Sequence, residues 1–200
     1  RLLEAAERHV EGLLHARVVI DACGVQEGEK MINPFSAVNL SGIAISLIVG
    51  QLAAGSVHLH HPFDRDVFLA QIVQERIAFA VAAPAVLTML LKDDELLAHH
   101  PLDSLRCVMS GSAGLSGWMI GEYRRRFHID IVNGFGSNEG VTLVSTATDI
   151  PDPALRAEYF PRPDPRGGPG VRLCRRAMEA KLVDPDSGEE IHETGVSGEL

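Results

Sequence analysis

The sequence predicts a mixed α/β fold: a mostly parallel sheet with helices on both faces, followed by the start of a small antiparallel β unit. Two observations predict it. Short apolar runs, typical of buried strands, alternate with segments of helical length as far as Val132, which is the pattern of βαβ units. After Thr148 this alternation stops, and prolines and charged residues become frequent. Right-handed crossovers between parallel strands bring the carboxyl ends of the strands to one edge of the sheet.

The first elements are assigned from their periodicity and their end signals. Apolar residues at helical spacing predict a helix over residues 2–23, and Gly24 is a plausible stop. A short strand over residues 30–35 is broken by Pro34. Residues 40–54 are apolar almost all round, which predicts a buried helix. Residues 57–60 alternate as a strand, and Asp64 is a good N-cap for the helix that follows.

The next elements lead to a glycine-rich loop. Residues 78–83 are predicted as a strand, with Pro84 at the first position of a helix. Residues 106–109 form another strand, which ends in the Ser-Gly-Ser-Ala-Gly segment 110–114, and Ser116 caps the helix that follows. A buried strand over residues 129–132 then leads into the loop at 133–140. We expect both loops and the Pro84 end of its strand to converge at one rim.

The remaining sequence has a different composition and pattern. We predict an α/β subdomain over residues 1–148 and a proline-rich loop over residues 149–169. Residues 170–200 are predicted to be a β segment that begins a second subdomain. That segment contains two predicted strands, at 171–174 and 179–183, and a hairpin turn at 184–188.

The composition of the chain argues against several classes of protein. The net charge of −9 argues against a nucleic-acid-binding surface, which should be basic. No apolar run reaches the length of a membrane span, and we expect neither a span nor a signal peptide. The cysteines, Cys23, Cys107 and Cys174, lie in apolar surroundings and are interpreted as reduced core residues of a cytoplasmic protein. The chain starts at Arg1 and stops in an apparent strand, so we expect a piece of a longer protein.

The loop at residues 133–140 is the main candidate for a site. Gly134 and Gly136 let backbone N–H groups approach a ligand closely and leave Phe135 free to lie against a flat base. Glu139 can hold Mg²⁺, which favours one or two carboxylates together with water and phosphate. The alternative is an ordinary glycine turn with a solvated glutamate.

Four segments, in order, resemble the adenylate-forming superfamily, which includes acyl- and aryl-CoA synthetases, peptide-synthetase adenylation domains and luciferases. The resemblance runs from about Leu13 to Leu200. Residues 133–139 resemble the family's Asn-Gly-Tyr-Gly-Ser-Thr-Glu segment, and residues 110–115 resemble its Ser-Gly-Gly-Ala-Pro-Leu segment. Residues 34–36 stand where the family has an aromatic residue followed by His. Residues 183–200 resemble the approach to its small barrel.

The resemblance implies a site for ATP or AMP, Mg²⁺, CoA and a small carboxylic acid. It implies no nucleic-acid partner. A homo-oligomer is one alternative for the assembly of the protein. It implies catalytic roles for Glu139, which would hold Mg²⁺, and for Asn138, at the α-phosphate. The implied nucleotide-binding residues are Ser112, Ala113, Gly114, Asn133, Gly134, Phe135, Gly136 and Ser137. The implied acid-binding residues are Phe35, Ser36, Gly111 and Val141, with Ala113 and Gly136 also lining the acyl tunnel.

Three departures from the family pattern bear on activity. Asn138 replaces a Thr, Ser36 replaces a His, and residues 1–10 lack the glycines of the family's phosphate loop, with Arg8 near the position of its Lys. The ribose-binding Asp and the catalytic Lys of the family would lie beyond residue 200. The sequence therefore predicts the central part of an AMP-forming carboxylate–CoA ligase that is inactive by itself. The alternative is a non-catalytic flavodoxin-like module that binds a nucleotide or a partner.

Overall fold

The computed structural model describes residues 2–136, 142–163, 173–176 and 179–199. The chain forms two compact units, Arg1–Pro161 and Arg162–Leu200. The boundary between them falls inside the segment that the sequence predicts as a proline-rich loop. The predicted domain limits at 148 and 169 stay predictions.

The first unit is built on a six-stranded sheet. Its strands are β1 (Lys30–Asn33), β2 (Ser56–Leu59), β3 (Phe79–Val81), β4 (Cys107–Gly111), β5 (Asp130–Gly136) and β6 (Thr142–Ser145). Their order across the sheet is β2-β1-β3-β4-β5-β6. Every neighbouring pair is parallel except β5–β6, which is antiparallel. The mostly parallel α/β fold predicted from the sequence is confirmed.

Helices connect these strands and cover the sheet. They are α1 (Leu2–Cys23), α2 (Leu40–Gly42), a π-helix (Ile43–Ile48), α3 (Val49–Leu52), α4 (Arg65–Glu75), α5 (Pro84–Leu91), α6 (Asp94–His99), α7 (Gly117–Phe127) and α8 (Pro153–Glu158). The predicted starts of three of them are confirmed. The Asp64 carboxylate accepts a hydrogen bond from the Val67 N–H at 2.9 Å, Pro84 is the first residue of α5, and the Ser116 hydroxyl caps α7.

The core lies on both faces of the sheet because strand side chains alternate. Ile32, Val108 and Ile131 face one cluster, together with buried residues of α4, α5 and α7. Residues of the opposite parity, such as Met31 and Met109, are buried on the other face, where α1 contacts β4 and β6. Cys23 and Cys107 are buried thiols that form no disulfide, in agreement with the prediction of reduced core residues. No helix among the described residues is long and apolar enough to cross a membrane.

The helical segment at residues 40–52 differs from its prediction as a buried helix. Its middle is a π-helix, and only one side of the segment is buried, at residues such as Ala44 and Val49. Ile43, Leu47 and Leu52 are each more than a third exposed. A segment that is apolar all round can therefore have one face against the sheet and another uncovered by the described residues.

Two predictions for the region after Thr148 are wrong. Residues 153–158, predicted as loop, form α8, because Asp152 caps its first turn and Pro153 suits a first helical position. Residues 173 and 174, predicted as the end of a strand at 171–174, lie in a single helical turn, α9 (Leu173–Arg176); Val171 and Arg172 lie outside the described residues.

The second unit contains fewer β interactions than predicted. Of the predicted strand at 179–183, Val183 alone pairs, through isolated antiparallel bridges to Glu190 and Glu199. The predicted turn after it is present: the N–H of Gly188 donates to the carbonyl of Asp184 at 2.8 Å. Both backbone N–H groups at 186 and 187 donate to the Asp184 carboxylate, and these bonds lower the pKa of Asp184.

Candidate active site

The carboxyl ends of β3, β4 and β5 meet at one rim of the sheet. Ser110 lies opposite Asn133 and Gly111 lies opposite Gly134 in the parallel register of β4 and β5. The Ser110 hydroxyl donates to the Ala82 carbonyl at 2.8 Å, which ties the end of β4 to the end of β3. For the described residues, the predicted convergence of the two glycine-containing segments is confirmed.

The glycine-rich segment is a strand, where the sequence predicted a turn. Residues 133–136 continue β5 because they pair with β6, from Asn133 opposite Ser145 to Gly136 opposite Thr142. The strand β6 was not predicted. Its effect is to hold Gly134 and Phe135 in an extended backbone at the rim.

The backbone at the end of β4 is tightly constrained. A Cβ at Gly111 would fall well inside contact distance of the Gly134 carbonyl oxygen, so a glycine is needed there for the strands to approach. The next residue, Ser112, has a φ of 69°. Left-handed backbone at a non-glycine residue is uncommon and strained. The chain therefore turns sharply away from the sheet immediately after β4.

A cavity of about 270 Å³ opens beside this rim. The strands contribute Val81, Met109 and the segments around Gly111 and Gly134 to its wall. The other side is formed by α1 and by the chain between β1 and the π-helix. The residues contributed from that side are His15, Val19, Phe35, Asn39, Ser41, Ala44 and Ile45. The wall combines apolar side chains with a few polar groups, which is the usual make-up of small-molecule sites.

Side-chain hydrogen bonds shape the segment that carries Phe35. The amide oxygen of buried Asn33 accepts from the Phe35 N–H at 2.8 Å. Its amide nitrogen donates to the Ser46 hydroxyl in the π-helix. The Asn39 amide oxygen accepts from the Gly42 N–H at 2.8 Å. Asn33 thus fixes the loop against the helical segment and presents Phe35 to the cavity.

The structure brings a buried polar pair to the cavity that was not predicted. His15 on α1 and Thr142 at the start of β6 are both 7% exposed. The Thr142 hydroxyl and the His15 ring nitrogen Nδ1 are hydrogen-bonded. One sequence feature points to His15: it stands one turn before the apolar residues Val18 and Val19, on the side of the helix that they share. Nothing local marks Thr142, because its partner is 127 residues away.

Phe135 and Asn133 occupy different environments although only one residue separates them. Phe135 is 47% exposed, and its ring centroid lies 6.3 Å from that of Phe160. Asn133 is buried, and its amide nitrogen donates to the carbonyls of Arg156 and Ala157 at 2.9 and 3.2 Å. Asn133 does not line the cavity; it anchors α8 to β5. Residues two apart in a strand face the same side of the sheet, so the difference arises because α8 covers Asn133, whereas Phe135 lies further along β5, at the rim.

Helix α8 is also fixed by Arg156. Its side chain is buried and donates to the carbonyls of Ile150 and Pro151, both at 3.0 Å. Burial lowers the pKa of the guanidinium from its ordinary value. The role of Arg156 is therefore to order the chain that supports β5 and Phe160.

The other predicted site residues are distributed as follows. Gly111, Ser112, Gly134, Phe135 and Gly136 line the cavity together with Phe35, whereas Ser36 does not line it. Ala113 and Gly114 line a neighbouring surface cleft with Pro84. Ser137, Asn138, Glu139 and Val141 lie outside the described residues. Within the described part of the chain, no three His, Cys, Asp or Glu side chains form a metal site.

This arrangement suits binding of a small molecule with a flat ring. An exposed aromatic ring stands beside backbone that is free of side chains, and a mostly apolar cavity opens next to both. An exposed phenyl ring can stack on a base, and the neighbouring cavity can take an apolar group. The geometry therefore offers two adjoining subsites on one rim.

Comparison with known proteins agrees with these features. A probable CoA ligase, CCL5, from Humulus lupulus is 26% identical over 187 residues, which is 92% of this chain and 32% of that protein. The medium/long-chain-fatty-acid–CoA ligase FadD17 of Mycobacterium tuberculosis is 31% identical over 162 residues, or 80% of this chain and 28% of that protein. The chain thus spans about a third of the length of these relatives.

A solved structure shares the fold. The anthranilate CoA ligase AuaEII, crystallised with anthranoyl-AMP, superposes with a TM-score of 0.68 at 21% identity, covering 92% of this chain and 33% of that one. The sequence profile of AMP-binding enzymes matches residues 9–200. Because this match takes in almost the whole sequence, and the curated relatives are CoA ligases, the chain belongs to the AMP-binding enzyme family.

Proposed function

We propose that this chain is the central part of an ATP-dependent carboxylate–CoA ligase. The observation that carries the proposal is the adjacency of exposed Phe135 and the cavity at the rim of β4 and β5. Together with the family membership, it supports a nucleotide subsite next to an acyl subsite. A reaction that joins a carboxylate to the α-phosphate of ATP needs these two subsites in contact.

The proposed reaction has two steps. A carboxylate oxygen of the acid attacks the α-phosphorus of ATP, and the bond to the bridging oxygen of pyrophosphate breaks, which gives acyl-AMP and pyrophosphate. The sulfur of CoA then attacks the acyl carbon, the bond to AMP breaks, and the thiol proton is lost to a base. Neither step needs a covalent bond to the protein, so positioning and charge stabilisation carry the catalysis.

The residues of this chain would mainly bind and orient the substrates. Phe135 would stack on adenine, and the backbone of residues 112–114 would border the base. Phe35 and Gly111 would line the acyl subsite. Glu139 would hold Mg²⁺, and Asn138 would donate to the α-phosphate. When bound, the metal would neutralise charge on the phosphates.

The isolated chain is proposed to be inactive. Residues 1–10 contain no glycine, so they offer no nest of backbone N–H groups for the β- and γ-phosphates. Losing one donor to developing charge typically costs about 10²–10³ in rate. Arg8, near the position of the family's phosphate-loop lysine, would not replace that set of donors.

The proposal is tested by carboxylate-dependent ATP–pyrophosphate exchange in the full-length gene product that carries these residues. Glu139→Ala should lower exchange by about 10²-fold or more and leave the melting temperature unchanged, because a loop acid that binds a metal does not support the core. The matched control is Glu27→Ala, an exposed acid before β1 and so at the opposite edge of the sheet. Unchanged exchange in a folded Glu139→Ala protein would remove Glu139 from the site.

A further inference from the structure

The polar pair His15–Thr142 is the unexplained feature of the cavity. Both residues line the cavity, both are more than nine-tenths buried, and they are joined by a hydrogen bond. Burying polar side chains is unfavourable unless they are hydrogen-bonded. Two apolar side chains at these positions would fill the cavity wall without needing hydrogen bonds. The presence of a polar pair therefore suggests that His15 and Thr142 have a function in the cavity.

The pair retains the capacity to bind a ligand. A threonine hydroxyl has one donor and two acceptor sites, and the contact with His15 uses one of the three. Two other polar side chains on the wall are already committed to backbone partners: Ser110 donates to the Ala82 carbonyl, and Asn39 accepts from the Gly42 N–H. An acceptor site on Thr142 would match a ligand group that donates a hydrogen bond.

The size of the cavity restricts the ligand further. The cavity has a volume of about 270 Å³. Ligand pockets for drug-sized molecules usually range from about 300 to 1,000 Å³. The cavity thus has the volume for a single substituted ring or a short branched chain. An extended chain such as palmitate exceeds it.

We propose that His15 and Thr142 are a specificity-determining pair. They select compact carboxylic acids that carry a hydrogen-bond-donating hydroxyl or amino substituent over hydrocarbon acids of the same size and over long chains. This inference rests on the proposed function, because it names the acid class of the same acyl subsite. Thr142 contacts the substituent, and His15 orients the Thr142 hydroxyl.

The test measures dissociation constants of matched acids for the 200-residue chain by NMR titration. Each of the three hydroxybenzoates is paired with the methylbenzoate of the same substitution, since a methyl group is close in size to a hydroxyl, and palmitate is the long-chain probe. At least one hydroxybenzoate should bind about tenfold more tightly than its methyl partner, the value of one ordinary net hydrogen bond.

Four variants separate recognition from folding. Thr142→Val removes the hydroxyl with little change of shape and should abolish the preference while methylbenzoate still binds. Thr142→Ser and His15→Gln keep hydrogen-bonding groups and should retain it. Thr148→Val makes the same threonine-to-valine change at an exposed turn residue outside the cavity and serves as the control.

Each outcome of the titrations either supports or overturns the proposal. A hydroxyl preference that is lost in Thr142→Val and kept in Thr142→Ser supports the proposal. Equal binding of hydroxy and methyl acids, tighter binding of palmitate, or a preference that survives Thr142→Val overturns it and leaves the proposed function standing. Absence of binding by every acid at millimolar concentration also overturns it, and overturns the proposed function as well if the full-length protein shows no pyrophosphate exchange.

Discussion

Substituting Gly111 with alanine tests whether the rim is as tightly closed as the structure indicates. The added Cβ would lie far inside contact distance of the Gly134 carbonyl oxygen and its carbon, whereas favourable contacts between non-bonded carbon atoms lie near 3.5–4.0 Å. The obstacle is backbone on the hydrogen-bonded neighbour strand, so no side chain can rotate out of the way. The ends of β4 and β5 must therefore separate.

The expected loss of folding stability follows from the separation of the two strand ends. Overpacking of a tight site costs about 1–3 kcal/mol, and each backbone hydrogen bond weakened at the strand ends adds about 1 kcal/mol. Gly111→Ala should therefore destabilise the fold by about 2–4 kcal/mol. For a chain of this size, this lowers the melting temperature by about 5–15 °C.

A matched control lies in the same half of the chain. Gly121 is inside α7, and the nearest atom to its added Cβ is a Pro153 ring carbon at 4.0 Å. Gly121→Ala should stabilise the fold by about 0.5–1 kcal/mol, because alanine is the better helix former. Thermal melts and urea denaturation of both variants measure the difference. Wild-type stability in Gly111→Ala, or a larger loss in Gly121→Ala, would refute the close approach of β4 to β5.

Three further predictions concern the ion pair of Glu29, the hydroxyl of Tyr123 and the backbone of Ser112. Burial raises the pKa of the Glu29 carboxyl, but the hydrogen bonds from Arg106 at 2.5 and 2.9 Å outweigh it and the pKa is lowered. The stability that Glu29 contributes is thus present above the ordinary pKa of about 4.3 and is lost as pH falls through the lowered value. In urea denaturation, Glu29→Gln should be about 1–3 kcal/mol less stable at neutral pH, a gap that narrows in acid. Tyr123→Phe should lose about 1 kcal/mol, since the buried hydroxyl donates to the Leu87 carbonyl at 3.1 Å. Ser112→Gly should be between neutral and about 1 kcal/mol more stable, because it relieves the left-handed backbone at the entropic cost of a glycine, whereas Ser112→Val should melt lower than wild type.

Local signals predicted the early part of the fold well. Asp64, Pro84 and Ser116 each act within one helical turn, so their effect can be recognised from neighbouring residues alone. The strands β1, β3 and β4 are buried apolar runs, and parallel topology then requires their ends to share a rim. These helix starts and the shared rim are confirmed for the described residues.

Several of the errors share a physical cause, which is pairing with distant residues. Residues 133–136 have the glycines of a turn, yet they are strand because β6 offers hydrogen-bond partners. The pair His15–Thr142 exists because the fold places α1 against β6. Conversely, residues 179–183 have β-type sequence, but apart from the bridges of Val183 the described residues provide them with no strand partner. β propensity needs a neighbouring strand to become a sheet.

The implied site residues were predicted unequally for the same reason. The structure brings Phe35, Gly111 and Phe135 to one cavity. Each of them stands beside a glycine of its motif or at the end of a strand. Asn133 looks equivalent in sequence, but α8 covers its side chain, and the carbonyls of Arg156 and Ala157 accept from its amide. The motif thus identified the right segment, while the packing of α8 decided which of its side chains stay accessible to a ligand.

The most direct test of the central claim is a titration of the isotopically labelled chain with AMP, followed by NMR. The account predicts that the largest amide shifts occur at residues 111–114 and 134–136, where backbone surrounds the proposed nucleotide subsite. It also predicts that Phe135→Leu weakens binding about tenfold, by loss of base stacking, and that ribose 5-phosphate, which lacks the base, binds weakly to both proteins. Shifts centred elsewhere on the sheet, or no shifts at millimolar AMP, would contradict the assignment of this rim as the nucleotide site.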